Sequence, residues 1–379
     1  MRNLSVVLFD KALRPYLNAD KEIFGNSATY TIIALDPKLR STYENNSLDK
    51  IYASTSAKIA VVEDNYDMSV AVNLSKFDAV VVISPEIIIM DNFVDHLRKK
   101  FVNSNVFAVV ADKLKFYSNE EYVYYYPFLP LQVSRLNHHR PVDLLNKKKL
   151  FDCLLGSYKP HRAFIFENLK QCGLLNQCYV NLLSTNQIDG ATKPKEYYRS
   201  PDLDADESAE ALLTKQLNDN VFHSMQHVLG YGNSINSRIS NQVPWDIYKN
   251  SHYSIIAETN NNSTFLTEKT GKALFAKRLF VMFGAHNHLK ALQEFGFQTF
   301  SGILDESYDN IEDDQQRWAQ AFEQVLWLSK QNPIEIYQQA HDILEYNYLK
   351  ICDYELFITP LRTWLLEQLR TCIVDISFD

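Results

Sequence analysis

Short runs of β-branched and apolar residues recur along the first third of the chain, separated by stretches long enough for a helix. They read LSVVLFD (4–10), TYTIIALD (29–36), KIAVVED (58–64), FDAVVVIS (77–84) and NVFAVVAD (105–112). A run that is apolar at consecutive positions has no wet face, so each predicts a strand covered on both sides. Spacers such as EIIIMDNFVDHLRKKF then predict a parallel sheet flanked by helices. This pattern constrains the fold more than any other: it predicts an α/β layer.

The pattern then breaks. EYVYYYPFLPLQ and SRLNHHRPVDLLNKKK carry three prolines and several basic residues, a composition suited to a domain connection. Strand signals resume with LFDCLLG (150–156), CYVNLLS, YSIIAE (253–258) and LFVMFG (279–284), and RAFIFENLKQCGLL has apolar residues at helical spacing. After Pro333 nearly everything is helix-like. A chain of 379 residues exceeds the size at which one core keeps growing. The division expected is an α/β domain over 1–130, a connection over 131–149, a second α/β domain over 150–332, and helices over 333–379.

Composition removes several function classes. A net charge of -8 gives no general attraction to phosphate backbones, and the compact basic runs Arg98–Lys100 and Lys147–Lys149 read as solvated surface. Five cysteines without a CxxC pair argue against a disulfide framework and a structural zinc site. No run of about 18 apolar residues occurs, and the opening MRNLSVVLFDKAL is too soon interrupted for a secretory segment. The expectation is a cytoplasmic protein without integral membrane association.

The densest chemical signal is YSIIAETNNNSTFLTEKTGKALFAKRLFVMFG, where Glu258 ends a strand and Thr267, Glu268 and Lys269 open a helix. Thr267 suits an N-cap and Glu268 suits the positive helix end. Lys269 opposes that dipole unless an anion sits there too, and a helix N-terminus with a lysine makes a phosphate site. Ligands of open α/β sheets bind outside the carboxyl ends of strands, where Glu258 is expected. A carboxylate accepting the paired hydroxyls of a ribose beside a lysine neutralising diphosphate would make a nucleotide-diphosphate pocket.

This stretch resembles the donor-binding motif of alpha-1,3-fucosyltransferases: an aromatic-x-I-x-x-E strand, a short loop, a T-E-K helix start and a strand closed by glycine. The chain departs from it at Thr259, where the family has asparagine, and at AKRLFVMFG, where the family has a run of small residues and proline. LFDCLLGSYKPHRAFIFENLKQCGLL is similar to the family's earlier segment, with Arg162 in the place of an arginine that contacts the donor diphosphate and His161 beside it. A weaker resemblance, in GFQTFSGILDESYDNI, is to phage-encoded glycosyltransferase-like proteins. The resemblance implies a GT-B-like α/β architecture, two Rossmann-like domains facing a cleft, with a C-terminal helical segment over 333–379 that partly packs back on the first domain. It implies inverting transfer from a nucleotide diphosphate sugar without an obligatory metal or other cofactor. Donor-binding residues would be Arg162, His161, Glu258, Thr267, Glu268, Lys269, Gly284 and His286. The base would come from the first domain: Glu86 just after a strand is the first candidate, with Asp10 and Asp64 at similar strand ends, although each position equally suits a cap or turn. A bacterial-type surface glycan is the acceptor expected, with a hydroxymethylated base of phage DNA as the alternative and a non-catalytic nucleotide-sugar or glycan binder as a third reading.

Other constellations are weaker. PDLDADES places Asp202, Asp204 and Asp206 at alternate positions, but Glu207 and Leu213 stand where a calcium loop needs glycine and glutamate. A metal-binding DxD needs a strand just before it, and KPKEYYRSPD reads as loop. GYG at 230–232 lacks the third glycine of a dinucleotide fingerprint. His138, His139 and Arg140 fall in the connection, and His288 follows the glycine-ended strand.

Overall fold

The computed structural model describes residues 30–35, 57–63, 77–84, 105–110, 122–125, 147–156, 159–183, 196–199, 243–259 and 261–372. The chain divides into two compact units, one of Met1–Pro127, Asp219–Asn233 and Glu355–Asp379, the other of Phe128–Asn218 and Ser234–Tyr354.

The first unit holds a parallel sheet of β1 (Tyr30–Leu35), β2 (Ala57–Glu63), β3 (Ala79–Ser84), β4 (Asn105–Val110) and β5 (Val123–Tyr125), side by side in chain order. Four of these strands coincide with runs predicted from the sequence. The consecutive valines explain themselves: Val80, Val81 and Val106 to Val110 contain no exposed position, as a strand covered on both faces requires. The fifth strand corrects the sequence reading, because VYY lies inside the tyrosine-rich stretch read as a break and pairs with Ala108–Val110. The run at 4–10 lies outside the described residues. Trp364, from the final helix, sets its ring 6.3 Å from Phe107 and 5.3 Å from Tyr124.

In the second unit, β6 (Lys149–Gly156), β7 (Cys178–Leu183), β8 (Glu196–Arg199), β9 (Ser251–Ala257) and β10 (Phe280–Phe283) form a sheet in the order β10-β9-β6-β7-β8. Renumbered from β6, this is the 3-2-1-4-5 order of a Rossmann-like sheet. Its first strand sits centrally, the chain builds outward through β7 and β8, then returns to the other flank of β6. All pairings are parallel except β7 with β8. That edge strand is a second correction: EYYR was read as loop, and its four residues, bounded by Pro194 and Pro201, were too short to register as a period. The objection that no strand precedes the Asp202 segment therefore falls, while Asp202, Asp204 and Asp206 lie outside the described residues.

Seven helices occur among the described residues: α1 (Pro160–Gln171), α2 (Trp245–Asn250), α3 (Glu268–Phe275), α4 (His288–Glu294), α5 (Asp314–Leu328), α6 (Pro333–Cys352) and α7 (Tyr354–Cys372). The helices predicted after Arg162, after Thr267 and beyond Pro333 are all present. None is long and apolar enough to cross a membrane.

One polar cluster fastens the second sheet. Asp152 of β6 pairs with Arg278 at 2.5 Å, both almost fully buried, and accepts from Ser251 Oγ and Ser254 Oγ of β9 at 2.9 and 3.0 Å. Arg278 also donates to the carbonyls of Tyr248 and Ser251. A buried ion pair is tolerable when its remaining lone pairs and protons are matched in this way. On the adjoining surface Tyr253 of β9 stacks on Tyr337 of α6, with rings 5.9 Å apart and 8° from parallel. The strands that carry the site are thereby held at fixed spacing.

Candidate functional site

The sequence-predicted donor residues converge at the carboxyl ends of β6 and β9, where the strand order reverses. Glu258 follows β9 and is fully buried. Its Oε1 accepts from Thr267 N–H at 3.2 Å and Thr270 Oγ1 at 2.5 Å. Its Oε2 accepts from Thr259 N–H at 3.3 Å and from the Thr267 hydroxyl. Both oxygens are thus committed to the loop and to the first turn of α3. The carboxylate expected to take sugar hydroxyls instead holds the start of the helix, nine residues along the chain.

Thr267 is the N-cap: it has extended backbone and accepts from Lys269 N–H at 3.3 Å. The loop that precedes it buries Phe265 and Leu266, which explains why an apolar pair interrupts the Asn- and Ser-rich stretch. Lys269 turns its ammonium back over the cap, donating to Thr259 Oγ1 at 2.9 Å, Thr267 Oγ1 at 3.3 Å and Glu268 Oε1 at 3.3 Å. Lys269 and Glu268 keep about a quarter and a fifth of their side-chain surface in solvent. Burial raises the Glu268 carboxyl, but Lys269 and Lys272 outweigh it and hold the group below its ordinary value.

Lys272, one turn further along α3, is a residue the sequence reading missed. It is buried, and desolvation draws its ammonium down to about 8 despite the opposing pull of Glu268, with Lys269 adding repulsion. The signal was present in TEKTGK, since Glu268 and Lys272 stand four apart with the carboxylate N-terminal.

From the other flank α1 brings His161 and Arg162. Both are buried, and both reach the main-chain carbonyl of Glu258: His161 Nε2 at 2.8 Å and Arg162 Nη2 at 3.3 Å. A carbonyl only accepts, so His161 carries its proton on Nε2 and leaves Nδ1 as a bare acceptor, buried without a hydrogen-bond partner among the described residues. Burial, with help from Arg162 and Lys159, draws the imidazole down to about 4 against the opposing pull of Glu258, so it is neutral near pH 7. Burial also lowers the Arg162 guanidinium, while the Glu258 and Glu268 carboxylates counter that effect. Gly156 ends β6 with a positive φ of 65°, a conformation that favours glycine, and a Cβ there would only touch Arg162 Nη1, at 3.5 Å. Cation, neutral imidazole and helix N-terminus are therefore positioned by α1 and α3, the helices that follow the adjacent strands β6 and β9.

Gly284 follows β10, the strand beside β9, and the neighbouring Phe283 carbonyl accepts from Glu258 N–H at 3.0 Å. Its lack of a side chain has a packing cause: a Cβ there would stand 2.8 Å from the His288 ring. Its carbonyl accepts from Arg317 Nε at 3.2 Å. His286 lies at the entry to α4, with its Nδ1 3.4 Å from Asn287 Nδ2. The N-terminus of α4 is closed by Asp309, whose carboxylate accepts from Leu289 and Lys290 N–H at 2.9 and 3.0 Å. The structure thus gathers Arg162, His161, Glu258, Thr267, Glu268 and Lys269 into one bonded cluster, whereas the contacts of Gly284 and His286 run toward α4 and α5.

The base candidates Glu86, Asp10 and Asp64 lie outside the described residues, as do His138, His139, Arg140 and the GYG segment. Among the described residues no three histidine, cysteine or carboxylate side chains gather as a metal ion would require. Compared with known proteins, the chain matches no family model, no curated protein and no solved structure.

Proposed function

We propose that the chain is a glycosyltransferase that binds a nucleotide diphosphate sugar at the N-terminus of α3, with its two α/β units arranged as in GT-B enzymes. The observation that carries this reading is the convergence of Arg162, Lys269 and the α3 N-terminus where the strand order of the second sheet reverses. Open α/β sheets bind ligands at that place, and a helix N-terminus with cations on either side is suited to a diphosphate. In the transfer these groups would hold the charge that develops on the departing diphosphate, and a carboxylate of the first unit, Glu86 foremost, would take the acceptor's proton. The resemblance to fucosyltransferases supports the sugar chemistry; Glu258 enters as the residue that fixes the helix, with Glu268 as the carboxylate nearer solvent.

Thermal unfolding against a panel of nucleotides and nucleotide sugars tests this. A ligand that binds only the native state stabilises it, by about 5–10 °C for a unit of this size at about 100 times Kd. Lys269→Ala is expected to weaken that ligand at least about tenfold with near-ultraviolet circular dichroism unchanged. A variant that binds as tightly as the parent would leave the triplet as a helix start and remove the proposal.

A further inference from the structure

The ammonium assigned to the diphosphate is already engaged. Lys269 Nζ lies 3.3 Å from Glu268 Oε1, the one charged acceptor among its three partners, and both side chains remain partly in solvent. Glu258 cannot relieve Lys269 of this partner, because both its oxygens are held by Thr259, Thr267 and Thr270. Glu268 itself is bound to the site through charge, drawn by Lys269 and by the buried Lys272 one turn below. A carboxylate and a phosphate oxygen compete for the same donors in the same manner.

We propose that Glu268 is an internal counter-anion, occupying Lys269 in the free protein and displaced by the ligand's phosphate. This rests on the anion-site reading above. Ligand binding then exchanges one ion pair for another, and the free protein is protected from holding an uncompensated cation at the helix N-terminus. Displaced Glu268 remains beside Lys272, so the exchange costs little more than this partly exposed pair is worth, and a pair open to solvent is worth little. A ligand with two or more charges gains by the exchange, and a monoanion gains almost nothing.

The test measures binding of inorganic pyrophosphate by calorimetry to the parent, Lys269→Ala, Glu268→Gln, and the double variant. Measurements are made at about pH 6, well below the value of Lys272, so that its charge is retained. Glu268→Gln is expected to tighten binding about two- to fivefold, a gain that a merely structural role would not produce. Glu268→Ala repeats the measurement without an amide at the position. In the Lys269→Ala background the gain is expected to vanish, because the freed donor is absent. Weaker or unchanged binding in Glu268→Gln overturns the inference. So does a gain that persists without Lys269, since that would be the protein's general field. If Lys269→Ala binds pyrophosphate as well as the parent, the anion site itself is refuted, so the two failures are distinct.

Discussion

Replacing Glu258 by glutamine separates the two roles open to this carboxylate. The side chain is fully buried and receives two donors at each oxygen. Glutamine keeps one oxygen and puts an NH2 group at the other position. With the amide nitrogen near Oε1 it opposes Thr267 N–H, and with the amide turned round it opposes Thr259 N–H. The threonine hydroxyls can rotate to accept, but a backbone N–H cannot, so one orientation strands the buried Thr267 N–H and the other the part-buried Thr259 N–H. That costs about 1–3 kcal/mol, and the bonds that remain lose their charge assistance, for a total of about 2–4 kcal/mol. The loss should appear where the carboxylate acts. Amide exchange across Glu268–Phe275 is expected to accelerate about thirty- to several-hundredfold. Urea unfolding followed through Trp245 and Trp318, whose rings lie 6.2 Å from Phe275 and 5.9 Å from His161, should shift to a lower midpoint. A variant with parental exchange in α3 that nonetheless loses its ligand would refute the reasoning, and would return Glu258 to the hydroxyl-binding role expected from the sequence.

Two further outcomes follow from the same neighbourhood. Gly284→Ala drives a methyl group into the His288 ring, so it should cost about 1–3 kcal/mol of stability by thermal unfolding, and part of the loss should return when His288 is also replaced by alanine. Lys272 binds its proton less tightly folded than unfolded, so between its folded value of about 8 and the ordinary 10.5 the unfolded chain carries more proton. Stability relative to Lys272→Met should therefore rise with pH across that window, by at most about 3 kcal/mol, and a flat difference would place the ammonium in water.

The sheets were legible because a parallel strand buried on both faces leaves an unbroken apolar run, and such runs marked all the longer strands. Val123–Tyr125 and Glu196–Arg199 escaped for a common reason. Each is an edge strand of three or four residues; β10 is as short and also at an edge, but its FVMF is wholly apolar, whereas VYY and EYYR are mostly tyrosine. Too few residues are present to establish a period, so the surrounding prolines and charges decided the reading. Strand order was not legible at all: it depends on which flank of β6 each crossover returns to, which no local pattern records.

The site shows the same limit at finer scale. Sequence spacing singled out a strand-end glutamate and a T-E-K helix start, and the two do meet, but it could not say which carboxylate faces outward. Glu258 and Glu268 are the same residue type within one motif, and their difference lies in burial. One is fully enclosed by four donors supplied by Thr259, Thr267 and Thr270, whose convergence on a single carboxylate no spacing records. The other sits one residue past the cap, where the helix rise turns its side chain back toward Lys269 and solvent. The departure of this chain from the fucosyltransferase motif at Thr259 acquires a physical meaning here. Its main-chain N–H serves Glu258 while its hydroxyl accepts from Lys269, so one residue links the buried carboxylate to the partly exposed ammonium. An asparagine would keep the main-chain N–H but could accept from the lysine only through its amide oxygen, one bond further out, and the lysine would then stand farther from the cap.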